Sequence, residues 1–261
     1  MKKYLLLTLS FIGCLSSVAF AQTPYSLCSN EQQQKLIEQF DVHSTSNKTN
    51  PSEGFISCLN LNPKHKTQLL AISRPIHPLD ENGDGNFDLK LYWVDAIKNK
   101  ILQSYQSPEI IVSDADYYEN LYFDVNAFST LAQTHVVGLK VRHSHRGGFS
   151  YSDDSLSLFK VGTSGIQNVL SGLRTQESGY ETIGPCLADN AQSDVKRILV
   201  LGQKTHFGLQ DIVLKETKDQ TLTDYRTCRT TQKQDQQQQT LKFNGQTYQF
   251  ESHDLLQRDA F

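Results

Sequence analysis

The feature that most constrains this chain is a repeated strand–turn–strand pattern in which apolar residues recur at every second position. Leu89, Leu91 and Trp93 show it first, and residues 95–100 then form a turn before a return strand begins at Ile101. A period of two is typical of a half-buried strand, because successive side chains of a strand point to opposite faces. A chain organised in this way folds by pairing neighbouring strands.

Six later segments continue the pattern: residues 136–141, 155–161, 166–170, 197–201, 211–215 and 241–250. The last contains Asn244-Gly245, which favours a two-residue type I′ hairpin turn because both central residues of that turn need positive φ. No long helical segments alternate with the strands. The sequence therefore predicts an all-β, mainly antiparallel fold, and both a sandwich and a propeller-like arrangement fit it.

A short helix is expected ahead of the strands. Ser29 or Asn30 can cap its N-terminus, and Leu36, Ile37 and Phe40 fall on one face. Ser and Asn are favoured caps because their side chains accept hydrogen bonds from the free N–H groups of the first turn. The pattern predicts a helix that ends near residue 40.

The first 21 residues have the layout of a secretory signal peptide. Two lysines follow Met1, an apolar run extends to about Ile12, and Ala19 and Ala21 stand three and one residues before the expected cut at Gln22. The apolar run is shorter than the roughly 20 residues that span a bilayer. The segment therefore predicts export without a membrane anchor.

The mature chain, residues 22–261, is expected to be a single β-rich domain in the periplasm of a Gram-negative-type bacterium, with no transmembrane segment. A lipoprotein is the alternative, because residues 11–14 end in Cys14 and resemble a lipoprotein cleavage site. Phe11 stands where Leu is usual, so soluble export fits the segment better.

Composition excludes one class of partner. The 25 Lys and Arg residues, less Lys2 and Lys3 of the signal peptide, leave 23 against 28 Asp and Glu residues, a formal charge of −5. Binding to nucleic acid needs a strongly basic face, so we expect none. Residues 230–240 are polar and of low complexity, and we expect them to form a mobile loop or a solvated connection between strands.

Four cysteines remain after removal of the signal peptide: Cys28, Cys58, Cys186 and Cys228. An even number in an oxidising compartment predicts two disulfides. Pairing neighbours, Cys28 with Cys58 and Cys186 with Cys228, closes loops of moderate length and is favoured, although joining Cys28 to Cys228 stays open. A zinc site is disfavoured because the chain has no Cys-x-x-Cys pair.

Residues 80–89 have the layout of a calcium-binding loop. Its candidate ligands stand at the first, third, fifth, seventh and ninth positions: Asp80, Asn82, Asp84, Asn86 and Asp88. Gly85 allows a tight reversal, Asn86 can offer its carbonyl, and Leu91 stands where an EF-hand has its bidentate Glu. The alternative is a solvated turn rich in Asp, Asn and Gly before a strand.

This loop, followed by a strand instead of a helix, resembles the calcium loop of FG-GAP repeats, which occur in integrin-type propellers and in periplasmic propeller proteins. Gly-Leu-Gln-Asp-Ile-Val in residues 208–213 and Phe-Asn-Gly-Gln-Thr-Tyr in residues 243–248 are similar to stretches of FG-GAP-like exported proteins. Some proteins of that kind inhibit lysozyme-like cell-wall hydrolases. The resemblance implies calcium as a cofactor and an exported hydrolase or toxin as a partner, although residues 202–207 lack the Asp residues of a second loop.

Residues 58–214 also resemble, in short stretches, exported proteobacterial proteins of unknown function. The matching stretches include residues 85–89, 113–115 and 156–159. This second resemblance implies no activity.

A basic and aromatic segment follows the strand at residues 136–141, and we expect it to be an exposed hairpin loop that contacts an acidic partner. Its candidate contact residues are Arg142, His143, His145, Arg146, Phe149 and Tyr151. Arg and aromatic side chains dominate binding hot spots. The two histidines share a face of a strand and could hold a metal, but the flanking arginines disfavour a cation, and such charge runs are usually only solvated.

Motifs that would identify an enzyme are missing from the chain. It has no Gly-x-Ser-x-Gly elbow and no His-Glu-x-x-His, and carboxylates such as those in residues 113–116 and 152–154 occur in any exported β-protein. We therefore expect a periplasmic binding protein, namely an inhibitor or immunity protein against an exported cell-wall hydrolase. A carbohydrate-acting envelope hydrolase and a structural, calcium-stabilised envelope protein are the alternatives.

The disulfide assignment predicts that the mature protein has no free thiol. Thiols should be titrated in denaturant without reductant, and the expected count is zero per chain because all four cysteines are bridged. Two or more titratable thiols per chain would contradict the assignment, together with the stabilisation of about 2–5 kcal/mol expected for each bridge.

Overall fold

The computed structural model of the protein describes residues 25–39, 54–62, 66–114, 117–131, 134–145, 149–182, 190–224 and 226–249. Within these residues, two antiparallel sheets and one ten-residue helix make up the regular structure. The all-β, mainly antiparallel class with a short N-terminal helix is therefore confirmed.

The first sheet has six strands: β1 (Ser26–Leu27), β2 (Phe55–Asn62), β3 (Thr67–Pro75), β4 (Gly85–Asp95), β5 (Lys100–Gln106) and β6 (Ile111–Ser113). Strands β1 to β5 pair in chain order, each with its neighbour, and β6 pairs with the first residues of β4, ahead of the stretch that pairs with β5. The strand predicted around Leu91 lies in β4, and a turn at residues 96–99 leads into β5 as expected.

The second sheet has eight strands: β7 (Tyr117–Leu131), β8 (Thr134–His145), β9 (Phe149–Gly162), β10 (Gly165–Thr182), β11 (Asn190–His206), β12 (Leu209–Asp224), β13 (Arg229–Phe243) and β14 (Tyr248–Gln249). They follow one another in chain order as an antiparallel meander. The five segments predicted as strands between residues 136 and 215 lie in β8 to β12.

Strands β8 and β9 are buried on both faces. On one face, Val137, Leu139 and Phe159 pack against β2, β3 and β4 of the first sheet in a core from which water is excluded. On the other face, Leu156 and Leu158 belong to a second core. The two sheets thus pack face to face, which corresponds to the sandwich alternative rather than the propeller-like one.

The second core forms because the second sheet turns back on itself beyond β10. Residues 165–181 of β10 pair with β9, but only residues 176–182 pair with β11, and three register shifts in the pairing with β9 fall between Asn168 and Gln176. Bulges of this kind bend a strand and increase its twist. Strands β11 to β13 consequently cover the second face of β8 and β9, with Leu214 among the buried residues.

Helix α1 (Asn30–Gln39) lies on the outer face of the first sheet. Oγ of Ser29 accepts a hydrogen bond from the Gln32 N–H at 3.2 Å, and the Gln32 side chain accepts one from the Ser29 N–H at 2.9 Å. These reciprocal bonds form a capping box. Leu36 is buried against Leu70 and other apolar residues of the first sheet. The predicted helix and its cap at Ser29 are confirmed.

A disulfide joins Cys28 to Cys58, with 5.3 Å between the Cα atoms, and ties the start of α1 to β2. This is the pairing that the sequence favours. Cys228 is disulfide-bonded as well, and Cys186 lies outside the described residues. The pairing of Cys186 with Cys228 therefore stays a prediction.

The expected loop at residues 230–240 is instead part of strand β13, so this prediction was wrong. Every residue from Arg229 to Gln238 is exposed, yet the backbone pairs with β12 without a register shift from Arg229 to Leu241. An extended segment needs a hydrogen-bonding neighbour for its backbone, and β12 supplies one whatever the side chains are.

The predicted two-residue turn at Asn244-Gly245 was also wrong. The loop contains four residues, because Phe243 pairs with Tyr248. Gly245 has a φ of +99°, but Asn244 does not have positive φ. The Asn244 side chain instead accepts hydrogen bonds from the N–H groups of Gln246 and Thr247, at 2.9 and 2.8 Å. A side-chain-capped turn thus replaces the type I′ turn.

Candidate functional site

A cleft of about 420 Å³ opens between the first sheet and strands β8 to β10, and we call it the inter-sheet cleft. Its polar floor comes from the second sheet: His143, Asp153, Ser155, Ser157, Asn168 and Arg174. Along β9, alternate residues face the first sheet, and Phe159 and Val161 are the last two apolar ones in the core. The same face is polar from Ser157 to Asp153, which leaves a cleft where the core ends.

Asp153 is the most enclosed charged residue of the floor, at 6% exposed. Its carboxylate lies 3.7 Å from Nδ1 of His143 and 3.4 Å from Nε of Arg174, and it accepts a hydrogen bond from Oγ of Ser155 at 3.3 Å. Burial raises the pKa of Asp153, although His143, Arg174 and Ser155 oppose the shift. A carboxyl with a raised pKa in a cleft is the kind of group that binds ligands or transfers protons.

Arg174 links the cleft to a chain of ion pairs that crosses the second sheet. Its Nη1 lies 3.6 Å from Glu177, and Glu177 in turn contacts Nη1 of Arg197 at 2.5 Å. Nε of Arg197 pairs with Glu216 at 2.5 Å, and each of these two side chains is 8% exposed. Buried charges are tolerated only when they are paired and hydrogen-bonded. These linked ion pairs therefore fix Arg174 in position beneath the cleft.

The basic segment predicted as an exposed loop is in fact the end of strand β8, so that prediction was wrong for its first residues. Arg142 donates two hydrogen bonds to Asp154, at 2.8 and 3.0 Å, and Tyr122 donates a third at 2.7 Å. The register pairs Arg142 with Asp154 and His143 with Asp153. Both basic residues are thus held by carboxylates from β9.

The other predicted contact residues lie around the same end of the sheet. His145 and Tyr151 oppose each other across β8 and β9, and both are partly buried. The backbone of Phe149 begins β9, while its side chain and Arg146 lie outside the part of the chain that the structure describes. The structure therefore brings His143 into the cleft and leaves Arg142 on the opposite face.

The mouth of the cleft is formed within residues 107–114, a segment that contains the loop after β5 and strand β6 and that sequence reasoning missed as a site. Ile110 and Val112 are each 54% exposed there. Glu109 accepts a hydrogen bond from Oγ of Ser171 at 2.5 Å and so connects the mouth to β10. Asp114 also lines the cleft. One feature of the sequence could have indicated this site: residues 110–112 form a short apolar run that does not belong to any of the predicted strands.

The predicted calcium ligands are only partly brought together. Oδ1 of Asp80 accepts hydrogen bonds from the N–H groups of Asn82 and Asp84, at 2.9 and 2.8 Å. Asp88 contacts the N–H of Arg74 and Nζ of Lys90, both at 3.1 Å.

Asp84 faces two other carboxylates. Burial, together with the charges of Asp80 and Asp114, raises the pKa of Asp84. Asn86 is exposed on β4. Among the described residues, no group of three or more His, Cys, Asp and Glu side chains is placed to hold a metal. Calcium binding by the five predicted ligands therefore stays a hypothesis.

No protein-family model, curated protein or solved structure matches this chain. The resemblance to FG-GAP loops therefore rests on the residues of the chain alone. Among the described residues, the structure contains no helix with the length and apolar character needed to cross a membrane.

The calcium hypothesis predicts that added Ca²⁺ raises the melting temperature of the mature protein, because a ligand that binds only the folded state stabilises it. Asp84→Ala should abolish the shift. Glu81→Ala is the matched control, since Glu81 is an exposed acid of the same loop but not a predicted ligand. Melting curves should be recorded from micromolar to millimolar Ca²⁺, and an unchanged wild-type curve would leave only the solvated-turn interpretation.

Adjacent carboxyls Asp153 and Asp154 should respond oppositely to neutralisation. Burial opposes ionisation of Asp154, but hydrogen bonds from Arg142 and Tyr122 outweigh it and hold the pKa of Asp154 below its usual 3.8. Asp154→Asn should therefore lower the free energy of unfolding at neutral pH by about 1–3 kcal/mol. Asp153→Asn should cost less or be stabilising, because the raised pKa of Asp153 means that its ionised form is disfavoured in the fold.

The pH dependence of the folding stability follows from the opposite pKa shifts of Asp154 and Asp153. The stabilisation from Asp154 is present above its unfolded pKa and is lost as the pH falls through its lower folded pKa. The adverse effect of Asp153 is absent below its unfolded pKa and grows as the pH rises through its higher folded pKa. Urea unfolding at neutral pH and below the ordinary carboxyl pKa measures both, and an equal loss of stability in the two variants at neutral pH would contradict this account.

Proposed function

We propose that the protein is a periplasmic binding protein that accepts a basic side chain of a partner protein in the inter-sheet cleft. The observation that carries the proposal is the charge of the cleft. Glu109 and Asp114 line its mouth and Asp153 its floor, whereas the one arginine of the floor, Arg174, already contacts Asp153 and Glu177.

The size and walls of the cleft support one class of occupant. Ligand pockets typically have about 300–1,000 Å³, so a cleft near 420 Å³ holds one or two side chains rather than a folded domain. Ile110 and Val112 offer exposed apolar surface at its mouth. A lysine or arginine combines an apolar stem with a charged end, and it therefore complements both parts of the cleft.

An exported cell-wall hydrolase or toxin is the partner that the sequence suggests, and an inhibitor or immunity protein is the corresponding role. The contact surface differs from the one expected from the sequence. Asp154 neutralises Arg142 on the far face of the sheet, so the positive patch proposed for an acidic partner is replaced by an acidic cleft for a basic one.

A carbohydrate-acting hydrolase is the second candidate, and a specific observation favours it. Asp153 has a raised pKa and shares a cleft with the carboxylates of Glu109 and Asp114. Glycoside hydrolysis uses a pair of carboxyls, of which the acid has a raised pKa. In that case Asp153 would be the proton donor.

The binding proposal predicts that a blocked pentapeptide with a central lysine between leucines binds the mature protein. The same peptide with a central glutamate should not bind. Replacing Glu109 with Gln and Asp114 with Asn together should weaken lysine-peptide binding at least about tenfold, which corresponds to about 1.4 kcal/mol. Calorimetric titration measures the affinities, and Glu31→Gln on helix α1, a carboxylate far from the cleft, is the control.

Two results would contradict the binding proposal. One is equal binding of the lysine and glutamate peptides, and the other is unchanged affinity in the double variant. If the protein alone releases fragments from peptidoglycan, and Asp153→Asn abolishes the release while Glu31→Gln does not, the protein is an enzyme. A structural calcium-stabilised protein would show neither binding nor release.

A further inference from the structure

The hairpin of β11 and β12 ends in a strained turn with an aromatic residue at its apex. His206 pairs with Leu209, so the loop between the strands contains only Phe207 and Gly208. Both residues have positive φ, +48° and +84°, which is the pattern of a type I′ turn. Gly, Asn and Asp adopt such angles readily, whereas a bulky side chain at positive φ is strained.

The Phe207 side chain contributes little to the cores of the protein. At 75% exposed, it is the most exposed of the large hydrophobic residues that the structure describes. Its ring lies beside the turn between β13 and β14, where a methyl group added at Gly245 would be 3.6 Å from it. Because backbone strain of this kind occurs mainly at functional sites, the position of Phe207 indicates a contact outside the chain.

Hydrogen bonds hold this hairpin end in place. Nδ1 of His206 lies 2.6 Å from Oδ1 of Asp211, which is 3% exposed. The hydroxyl of Tyr248 donates to the carbonyl of Gln210 at 2.7 Å. A turn supported in this way loses little further freedom on binding, which lowers the entropic cost of association.

Three turns meet at this end of the second sheet, and we call them together the turn surface: residues 163–164, 207–208 and 244–247. The side chain of Gln167, just after the first turn, donates to the carbonyl of Gln246 in the third at 2.8 Å. The second turn contacts the third through the Phe207 ring. The turn surface is thus a single platform with an aromatic side chain projecting from it.

The turn surface is basic although the chain is acidic. Residues 22–261 carry 23 basic against 28 acidic residues, yet no Asp or Glu occurs in the three turns or in the adjoining strand ends, residues 158–169, 202–210 and 239–249. The same segments contain three lysines: Lys160, Lys204 and Lys242. A basic end on an acidic protein turns that end toward an anionic surface.

The shape of the turn surface favours a lipid bilayer as that anionic surface. Small ligands bind in concave sites, whereas Phe207 projects from the apex of a hairpin. A lipid interface has no fixed shape and accepts a projecting apolar side chain between its headgroups and acyl chains. Lysines beside such a side chain place their charged ends among the headgroup phosphates, while their apolar stems stay in the interface.

We propose that the turn surface docks onto a bilayer that contains anionic phospholipids. Phe207 enters the boundary between headgroups and acyl chains, and Lys160 and Lys204 contact lipid phosphates. The docking is peripheral and reversible, because one aromatic ring and a few lysines bury little apolar area. None of the residues that line the inter-sheet cleft takes part, so the docking is independent of the function proposed above.

Tryptophan fluorescence with phospholipid vesicles tests the proposal. The chain has a single tryptophan, Trp93, which packs against the first core, so the emission of a second one can be read by difference. In Phe207→Trp, the added emission should move to shorter wavelength with vesicles of equal parts phosphatidylcholine and phosphatidylglycerol, because the indole leaves water. Leu222→Trp is the control: Leu222 is 50% exposed near the other end of β12, and its emission should not move.

Co-sedimentation with the same vesicles separates the apolar from the charged contribution. Phe207→Asn should weaken binding about tenfold, while the variant folds at least as stably as the wild type because Asn tolerates positive φ. Lys204→Gln should weaken binding about fivefold. Lys196→Gln, which removes another exposed lysine of β11, should leave binding unchanged. Equal melting temperatures of the two lysine variants show that both fold.

A wild-type protein that does not bind the mixed vesicles would overturn the proposal. Equal binding to vesicles of phosphatidylcholine alone would contradict the role of the lysines. The proposal is also wrong if Phe207→Asn binds as well as the wild type, or if the two tryptophan variants show the same spectral shift.

Discussion

Strands β8 and β9 have apolar side chains on both of their faces, so both faces must be shielded from water. The rest of the structure provides one layer of strands for each face. Val136 and Val137 are adjacent and fully buried, as are Leu158 and Phe159, and adjacent residues of a strand must point to opposite sides. The first sheet covers one side. The return of β11 to β13 beyond the irregular part of β10 covers the other.

The same alternation explains the polar end of these strands. Asp153 and Asp154 are adjacent in β9, so one points into the inter-sheet cleft and the other to the opposite face. Each carboxylate meets a basic residue of β8 that the hairpin register places directly across from it. Asp154 is well paired and stabilises the fold, while Asp153 is enclosed with weaker partners, and that difference makes Asp153 the chemically interesting residue. Stabilisation of the fold and the proposed binding site thus depend on neighbouring positions of one strand.

The sequence predicts the helix and the strands better than it predicts which residues lie opposite one another on paired strands. Periodicity found the strands with an apolar face, and the Ser29 cap found the helix. Strand β13 was missed because its residues from Arg229 to Gln238 carry no apolar pattern, and only the neighbouring β12 makes them a strand. The basic segment at Arg142 was misjudged for a related reason: its neutralising carboxylates come from the return strand, and a charge run gives no information on what lies across a hairpin.

The candidate site was predictable only in part. The carboxylates of residues 113–116 and 152–154 were visible in the sequence, but nothing local shows that Asp114 and Asp153 line one cleft, because the two come from different sheets. The calcium loop shows the converse. Its spacing is regular, yet Asp88 follows the alternation of β4 and contacts Lys90 and the Arg74 backbone rather than converging with Asp80.

Hydrogen exchange of the folded protein tests the central place of β8 and β9 most directly. If both faces of these strands are buried and the other layers depend on them, amides of residues 136–139 and 156–159 exchange only through global unfolding. Their exchange free energies should equal the unfolding free energy from urea denaturation, and amides of residues 230–238 should exchange with smaller values. Exchange of the β8 and β9 amides through a partial opening, while amides of β4 or β12 remain protected, would contradict this account.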